Sequence, residues 1–396
     1  MSEVTVPILG TGMTDLSRRD LSPEVMAYQA VHEALTDAAI EPETLSLVIV
    51  GNALGGRLLD QGCLRGQSWL RKVGLGDVAV VNVDNSCAGG SSALHLGVRV
   101  ARADDGPVLA LGVEKMWTGD RGATIAGIED GLPADYRADL HDRLRTEDNP
   151  AGSILMALND AWARQLIDEG RATLEQIAST AVKARFHASL NPRAQFQRTV
   201  TADEVLASPK VAGVLTRLMC SSFTDGAAAI VLGGPDLDAP PEAPRIVGSL
   251  SRSGNGEMDY HDRLARTAEA AWERFGFGPG DVDLVEIHDA TSPEELFALE
   301  SLGLFGPGEA GPATRAGATT VGGSGLTVNP SGGLVGRGHP LGATGIAQVI
   351  ELADQLRGRS GPRQSPRARL GLAVNTGGII AGDAGFVGIH AVRTGS

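Results

Sequence analysis

The chain has 396 residues, enough for two ordinary domains or one large duplicated α/β unit. Apolar residues make up 42% and aromatics only 4%, so the core has to be built from Ala, Val, Leu and Ile. The formal net charge of -14 argues against nucleic-acid binding by bulk electrostatics, and it obliges any anionic substrate to find a local basic pocket.

Residues 22–40 have helical apolar spacing, with Ser22 as the cap. Residues 44–53 read as a buried strand and 77–84 as a second. NSCAGGSS and the periodic stretch ALHLGVRVARA follow, giving strand, glycine turn and helix. Residues 106–116 supply another strand. This alternation predicts a mostly parallel sheet covered by helices. Residues 117–150 show weak periodicity, 153–190 are helical, and 191–225 read as loop until TDGAAAIVLGG turns into a strand. The stretch 117–225 is therefore an expected insertion between two strands of one sheet. A Pro-rich linker follows at 236–245. The rest repeats the first half in outline: strand, helix, the strand 281–290, a helix capped by Ser292, a glycine turn into a helix, and two closing strands. The expected organisation is a first half of 1–116 with 226–235, an inserted domain of 117–225, and a second half of 246–396.

Three cysteines, Cys63, Cys87 and Cys220, are too few and odd in number for a disulfide framework, which fits a reducing compartment. The N-terminus lacks a basic segment followed by an apolar one, and no run reaches the ~18 apolar residues of a membrane span. The expectation is a cytoplasmic protein without a membrane span. Cys87 stands between a strand and a helix among small residues. A thiol at a helix N-terminus feels the positive end of the dipole, which predicts a lowered pKa. A small buried residue is the plainer alternative for Cys87, and for Cys63 and Cys220 packing is the expected role. His339, in GRGHPLGATG, sits in a turn from which it could take a thiol proton. His288, in EIHDAT, ends a strand, where ligands of parallel sheets gather, and could donate to a developing oxyanion. Either histidine could equally be bonded to nearby backbone. The remaining six histidines lack such settings. There is no HExxH, CxxC pair or EF-hand loop, so no metal is expected, and GPATRAGATTVGGSG matches neither phosphate-binding glycine motif.

Together, NSCAGGSSALHLG, HDAT, GHPLGATG and the segment running from ALNPRAQFQ to DGAAAIVLG resemble the thiolase superfamily over nearly the whole chain, and within it the sterol-carrier-protein type. The resemblance implies an α/β thiolase fold of two duplicated βαβαβαββ halves stacked as five αβαβα layers, with an inserted loop domain. It implies Cys87 as the acylated nucleophile and His339 as its activator. His288 and His339 would form one oxyanion hole, and the N–H groups of Cys87 and Gly377 the other. Coenzyme A esters would be substrates, with no permanently bound cofactor, and the protein would be a homodimer or homotetramer. Asn375, Asn329 and Gly332 are possible substrate contacts. The chain departs from the family at two places: Asn375 stands where most members carry a second cysteine, and Ala290 where the sterol-carrier type often has one. An amide cannot shuttle a proton near neutral pH. The implied reaction is making or cleaving 3-ketoacyl-CoA, with a histidine replacing the missing base. The alternatives are a decarboxylating condensing or acyl-transfer enzyme, an aldolase-type relative with an OB-fold/zinc-ribbon partner, and a non-catalytic acyl-CoA-binding subunit. Aldolase-type relatives depend on tyrosines, and this chain has only Tyr28, Tyr136 and Tyr260.

Overall fold

Strands that are apolar on both faces set the architecture. In β4 and β7, defined below, successive side chains enter two different cores: Leu109, Leu111, Val113, Ala227, Ala229 and Val231 pack on one side, Val108, Ala110, Ala228, Ile230 and Leu232 on the other. Such strands have to be covered by helices on both faces. The computed structural model describes residues 5–18, 20–103, 106–144, 149, 152–234, 237 and 239–395. Two acidic positions of the expected linker, Asp236 and Asp238, lie outside the described residues.

The first half contains β1 (Val6–Met13), α1 (Pro23–Ala38), β2 (Leu47–Gly51), α2 (Gly55–Leu58), α3 (Arg65–Leu70), β3 (Ala79–Val83), α4 (Gly89–Ala101) and β4 (Val108–Glu114). Then come α5 (Arg121–Glu129), α6 (Ala134–Leu144), α7 (Ile154–Asp168), α8 (Leu174–Ser189), α9 (Ala202–Ala207) and a small hairpin, β5 (Lys210–Ala212) and β6 (Leu215–Thr216). The chain returns through β7 (Gly226–Leu232), antiparallel to β4. The second half contains β8 (Arg245–Ser253), α10 (Tyr260–Phe275), β9 (Leu284–Glu286), α11 (Ser292–Ser301), α12 (Ala310–Arg315), β10 (Thr327–Val328), α13 (Gly333–Arg337), α14 (Leu341–Leu356), β11 (Leu370–Ile380) and β12 (Asp383–Arg393).

Ten strands run in the order β10-β9-β11-β12-β8-β1-β7-β4-β2-β3. Read outward from the centre, β1-β7-β4-β2-β3 and β8-β12-β11-β9-β10 have the same sense of pairing at every step: antiparallel, antiparallel, parallel, parallel. One fold is therefore used twice. The halves join through the pairs Val6–Ile246 and Pro7–Arg245. Helices α1 and α3 cover the outer face of the first half and α10 that of the second, while α4 and α14 pack together between the two. These central helices meet through small residues. A Cβ on Gly345 would lie 2.6 Å from the Ser91 nitrogen, and one on Gly90 would overlap the Gly342 carbonyl.

Several local expectations change. Within 117–150, read as irregular, α5 and α6 form; α6 buries only Leu140 and so leaves little apolar periodicity to read. Thr291, not Ser292, is the N-cap position of α11, and Glu294 reaches back to accept from its N–H at 3.4 Å. Strand β1 is rich in glycine because α1 lies against it: a Cβ on Gly10 or Gly12 would come within 2.5 Å of an α1 backbone nitrogen.

Candidate active site

The duplication explains how the site is assembled. Helix α4 follows β3, and α14 follows β10 after the short α13, so the central helices occupy equivalent places in the two halves. Cys87 stands in the turn entering one, and His339 in the turn entering the other. Each turn is tightly constrained. Ser86 adopts a left-handed conformation, φ 51°, and its N–H donates to Asp84 Oδ1 at 3.0 Å. Gly338 has φ 109°, and a Cβ there would lie 2.8 Å from the Leu16 carbonyl oxygen. Fully buried Arg337 fixes the second turn through Ser331 Oγ at 3.0 Å and Glu286 at 3.4 Å.

His288 arrives from the end of β9. The Cys87 sulfur and one ring nitrogen from each of His288 and His339 lie within 4.8 Å of one another, and the two imidazoles are nearly perpendicular at 86°. Both rings are buried, and Cys87 is half-buried.

With the Thr344 hydroxyl turned to Pro340 and the Asn375 amide nitrogen facing His288, the hydrogen bonds assign opposite tautomers to the two rings. Thr344 Oγ1 donates to the Pro340 carbonyl at 2.9 Å, so toward His339 Nδ1, 2.8 Å away, it accepts. His339 is thus protonated on Nδ1 and presents the lone pair of Nε2. The Asn375 Nδ2 group can only donate, and it lies 2.9 Å from His288 Nδ1. His288 therefore carries its proton on Nε2. One ring is a proton acceptor and the other a donor. Sulfur and imidazole are also zinc donors, and the three donor atoms lie close enough together to share an ion.

The electrostatics differ from the sequence expectation. Burial pushes the Cys87 thiol up to about 12; Ser86 Oγ, 3.8 Å from the sulfur, opposes this, and Glu294 and Glu114 reinforce it. The resting sulfur is therefore a thiol, not the thiolate expected from the helix N-terminus alone. Burial also lowers His288 to about 3, and lowers His339 well below 6.5 with help from His288 and Arg337. Both rings are neutral at pH 7.

Three residues with a part in the site escape a reading of the sequence. Thr344 lies five residues after His339, and no motif flags its role. Glu114 ends β4 with both oxygens occupied: Oε1 accepts from Asn52 Nδ2 and Leu54 N, Oε2 from Ala53 N and Gly342 N. It binds the His339 helix to the segment after β2. Burial raises its pKa to about 7 against three backbone hydrogen bonds. Glu294, in α11, is the third.

Of the anticipated substrate contacts, Asn375 bonds to His288, and Asn329 and Gly332 sit in a tightly packed turn. Asn329 accepts from Ile287 N at 2.7 Å and donates to Glu295 at 3.2 Å, and it is fully buried. A Cβ on Gly332 would lie 2.8 Å from that of Ala188. Gly377 packs on the nucleophile turn: a Cβ there would lie 2.7 Å from Ala88 N. Cys63 is exposed rather than packed, while Cys220 packs against the larger core. Of the tyrosines, Tyr260 reaches the wall behind His288, but its hydroxyl is committed to Thr376 Oγ1 at 2.6 Å. Leu54, Met116, Leu341, Leu58, Ile128 and Phe223 form an apolar surround for Cys87.

Burial of imidazoles gives the protein a defined acid limit. His95 is lowered to about 4, and His187, His288 and His390 to about 3, in each case chiefly by burial. Once unfolded, these groups bind protons from about pH 6.5 downward while the native rings do not, so stability falls with pH from there. Buried carboxyls act in the opposite sense. Glu114 and Glu294, raised to about 7 and about 8, add stability as pH falls toward the unfolded value near 4.5, and nothing below it. Glu286, Asp289 and Asp354 are raised by burial in the same way, so the carboxyls largely offset the imidazoles down to about pH 4.5, and the urea midpoint is expected to fall steeply only below that. A midpoint that stays level down to about pH 3 would mean that the fold admits protons to these rings.

Comparison with known proteins agrees with this geometry. Residues 6–234 match the family described as thiolase, N-terminal domain, and residues 254–387 the thiolase C-terminal domain-like family. The chain is 36% identical to an acetyl-CoA acetyltransferase of Methanothermobacter thermautotrophicus, over 94% of this chain and 96% of the relative. It is 32% identical to the non-specific lipid-transfer protein-like 2 of Caenorhabditis elegans, over 97% and 95%. Among solved structures, an Ltp2-ChsH2(DUF35) aldolase superposes with a TM-score of 0.77 at 22% identity, covering 98% of this chain and 97% of that one; this likeness concerns the fold. Among the described residues no helix is long and apolar enough to cross a membrane.

Proposed function

Since the chain belongs to the thiolase family, we propose that it is an acyltransferase that carries an acyl group on Cys87 as a thioester taken from coenzyme A, and that it makes or cleaves 3-ketoacyl-CoA. The observation that carries this reading is the convergence of one thiol with two imidazoles of opposite tautomer. In acylation the Cys87 sulfur attacks the thioester carbonyl while its proton passes to His339 Nε2. The bond from the carbonyl to the coenzyme A sulfur breaks, and the departing thiolate recovers the proton from His339. The N–H groups of Cys87 and Gly377 hold the acyl oxygen. The His288 Nε2–H faces the thioester oxygen of the second acyl-CoA, where negative charge develops in the carbon–carbon step.

The apolar surround of Cys87 suits an acyl chain better than a charged group. Three free cysteines fit a reducing, cytoplasmic setting. Association with a second copy is part of the same reading, because β3 ends the ten-stranded sheet and Val81 on it is 43% exposed; an edge of this kind favours pairing with another chain. The aldolase-type alternative is weakened by the commitment of Tyr260 to Thr376, and the non-catalytic one by the paired tautomers.

The test is intact-protein mass after mixing with a panel of acyl-CoAs, with Cys87→Ala alongside. A gain equal to the acyl group, lost in the variant, is expected. No gain with any donor, or a gain that survives the substitution, overturns the reading.

A further inference from the structure

Carbon–carbon bond formation needs a group that takes the α-proton of the second acyl-CoA, and neither position where the family places a cysteine supplies one. Asn375 has no titratable proton, and Ala290 has no functional group. Of the two imidazoles, His288 Nε2 already carries a hydrogen because Asn375 occupies Nδ1, while His339 Nε2, free again once coenzyme A has left with its proton, is the competing base that the test below has to separate. Cys220, whose backbone bridges to Thr291, directs its thiol to the Thr216 carbonyl at 3.4 Å. Glu114 spends both carboxylate oxygens on four donors.

Glu294 differs from all of these. It stands in the first turn of α11, and its Oε2 accepts from Ala290 N at 2.6 Å and from Thr291 N at 3.4 Å. The carboxyl is thereby held against the backbone of Ala290, beside the place from which the sterol-carrier cysteine would project. Both of these bonds fall on Oε2. Glu294 lines a small cavity together with His288, Ile287, Tyr260, Val374 and Thr376, so it shares a wall with the imidazole that faces the second substrate.

Resting on the reading of the preceding section, we propose that Glu294 is the general base of the carbon–carbon step, taking over from the alanine beside it the task of a cysteine. In the condensing direction Glu294 removes a proton from the α-carbon of the second acyl-CoA. The carbanion attacks the carbonyl of the acyl group on Cys87, the carbon–sulfur bond to Cys87 breaks, and the sulfur leaves as thiolate. The proton held by Glu294 finally returns to that sulfur, so the net change moves one proton from carbon to sulfur. Thiolysis is the reverse. Burial raises Glu294 to about 8, against the two backbone hydrogen bonds, which places it where a base can both take and return a proton near neutral pH. Its charge also acts on the Cys87 thiol, as expected of groups sharing one site.

A plain capping role is the competing explanation, and Glu294→Gln separates the two, because glutamine still accepts from Ala290 and Thr291 but cannot take a proton. Two readouts are needed: acylation of Cys87 by intact mass, and loss of α-deuterium from deuterated acetyl-CoA in ordinary water. E294Q is expected to acylate within about threefold of wild type while α-exchange and ketoacyl-CoA formation fall about 10²–10⁴-fold. E294D, which keeps a carboxyl, should recover exchange at least tenfold over E294Q, and Cys220→Ala should leave exchange unchanged. The assignment is overturned if E294Q exchanges within about threefold of wild type, if it loses acylation and exchange together, or if E294D acylates yet exchanges no faster than E294Q. It is also overturned if wild type acylates but never exchanges. A wild type that fails to acylate at all refutes instead the thioester reading on which it rests.

Discussion

Replacing His339 by asparagine is expected to slow acylation of Cys87 by about 10³–10⁴-fold while leaving the fold intact. The size follows from the sulfur. With the thiol raised to about 12, only ~10⁻⁵ of it ionises unaided at pH 7. The proton therefore has to leave as the sulfur attacks, and His339 Nε2 is the acceptor poised for it. A preformed thiolate–imidazolium pair is disfavoured, because burial opposes charge on each partner separately. The N-termini of α4 and α14 favour the anion as it develops. Thr344→Val should cost less, roughly 10–100-fold by the same general-base argument, since it removes only the group that keeps Nδ1 protonated. Rapid-quench mass spectrometry gives both rates. Alkylation with iodoacetamide checks the premise. Cys87 in wild type should react more slowly at pH 7 than exposed Cys63 and accelerate above pH 9. A His339→Asn variant that acylates at the wild-type rate would mean that the thiol ionises by another route.

The parts of this site that are legible in the sequence are those whose settings are local. Cys87, His339 and His288 each stand beside a glycine turn or a strand end that a short window of sequence suffices to show. What they do to one another is not legible, because the groups that tune them come from far away. Asn375 and His288 are 87 residues apart, and Glu114 and Gly342 are 228 apart. The sequence predicts an acidic thiol because the helix N-terminus can be read from it, whereas the burial and the two carboxylates that outweigh the dipole cannot. Glu294 looks like an ordinary residue of an amphipathic first turn, and only its partner Ala290 N and the shared cavity distinguish it. Asn329 and Gly332 stand out through a glycine-rich turn, and its packing against α8 and β9 cannot be read from that turn alone.

The duplication is visible as a repeated order of elements, but its consequence for catalysis requires the sheet. Two equivalent helices meet at the centre because Gly90, Gly342 and Gly345 let their backbones approach, and only then do their entry turns face each other. A larger side chain at any of these glycines separates the two turns without touching a catalytic group. The nucleophile and its base are thus held in register by the same contact that joins the halves.

Asn375→Asp is the second large change expected. A carboxylate cannot donate, so the substituted side chain would accept from His288 Nδ1–H and reverse the tautomer of the ring. His288 Nε2 would then offer a lone pair to the thioester oxygen of the second acyl-CoA where it now offers a hydrogen. Losing one such donor costs about 10²–10³-fold, so ketoacyl-CoA formation should fall by that amount. Acylation should fall much less, since His339 and the N–H groups of Cys87 and Gly377 serve that half. The pH dependence gives a second signature. In wild type His288 is neutral throughout the working range, because burial holds it at about 3. Beside a buried carboxylate its pKa rises, and a doubly protonated ring recovers the Nε2–H, so although protonation of Glu294 slows condensation in both proteins as pH falls, the variant's deficit relative to wild type should shrink. The ratio of condensation to acylation, followed from about pH 8 to about pH 5.5 across the ordinary histidine range, decides the matter. An equal loss in both halves would place Asn375 in the acylation site. A loss independent of pH would mean that the added charge acts on the substrate directly and not through His288.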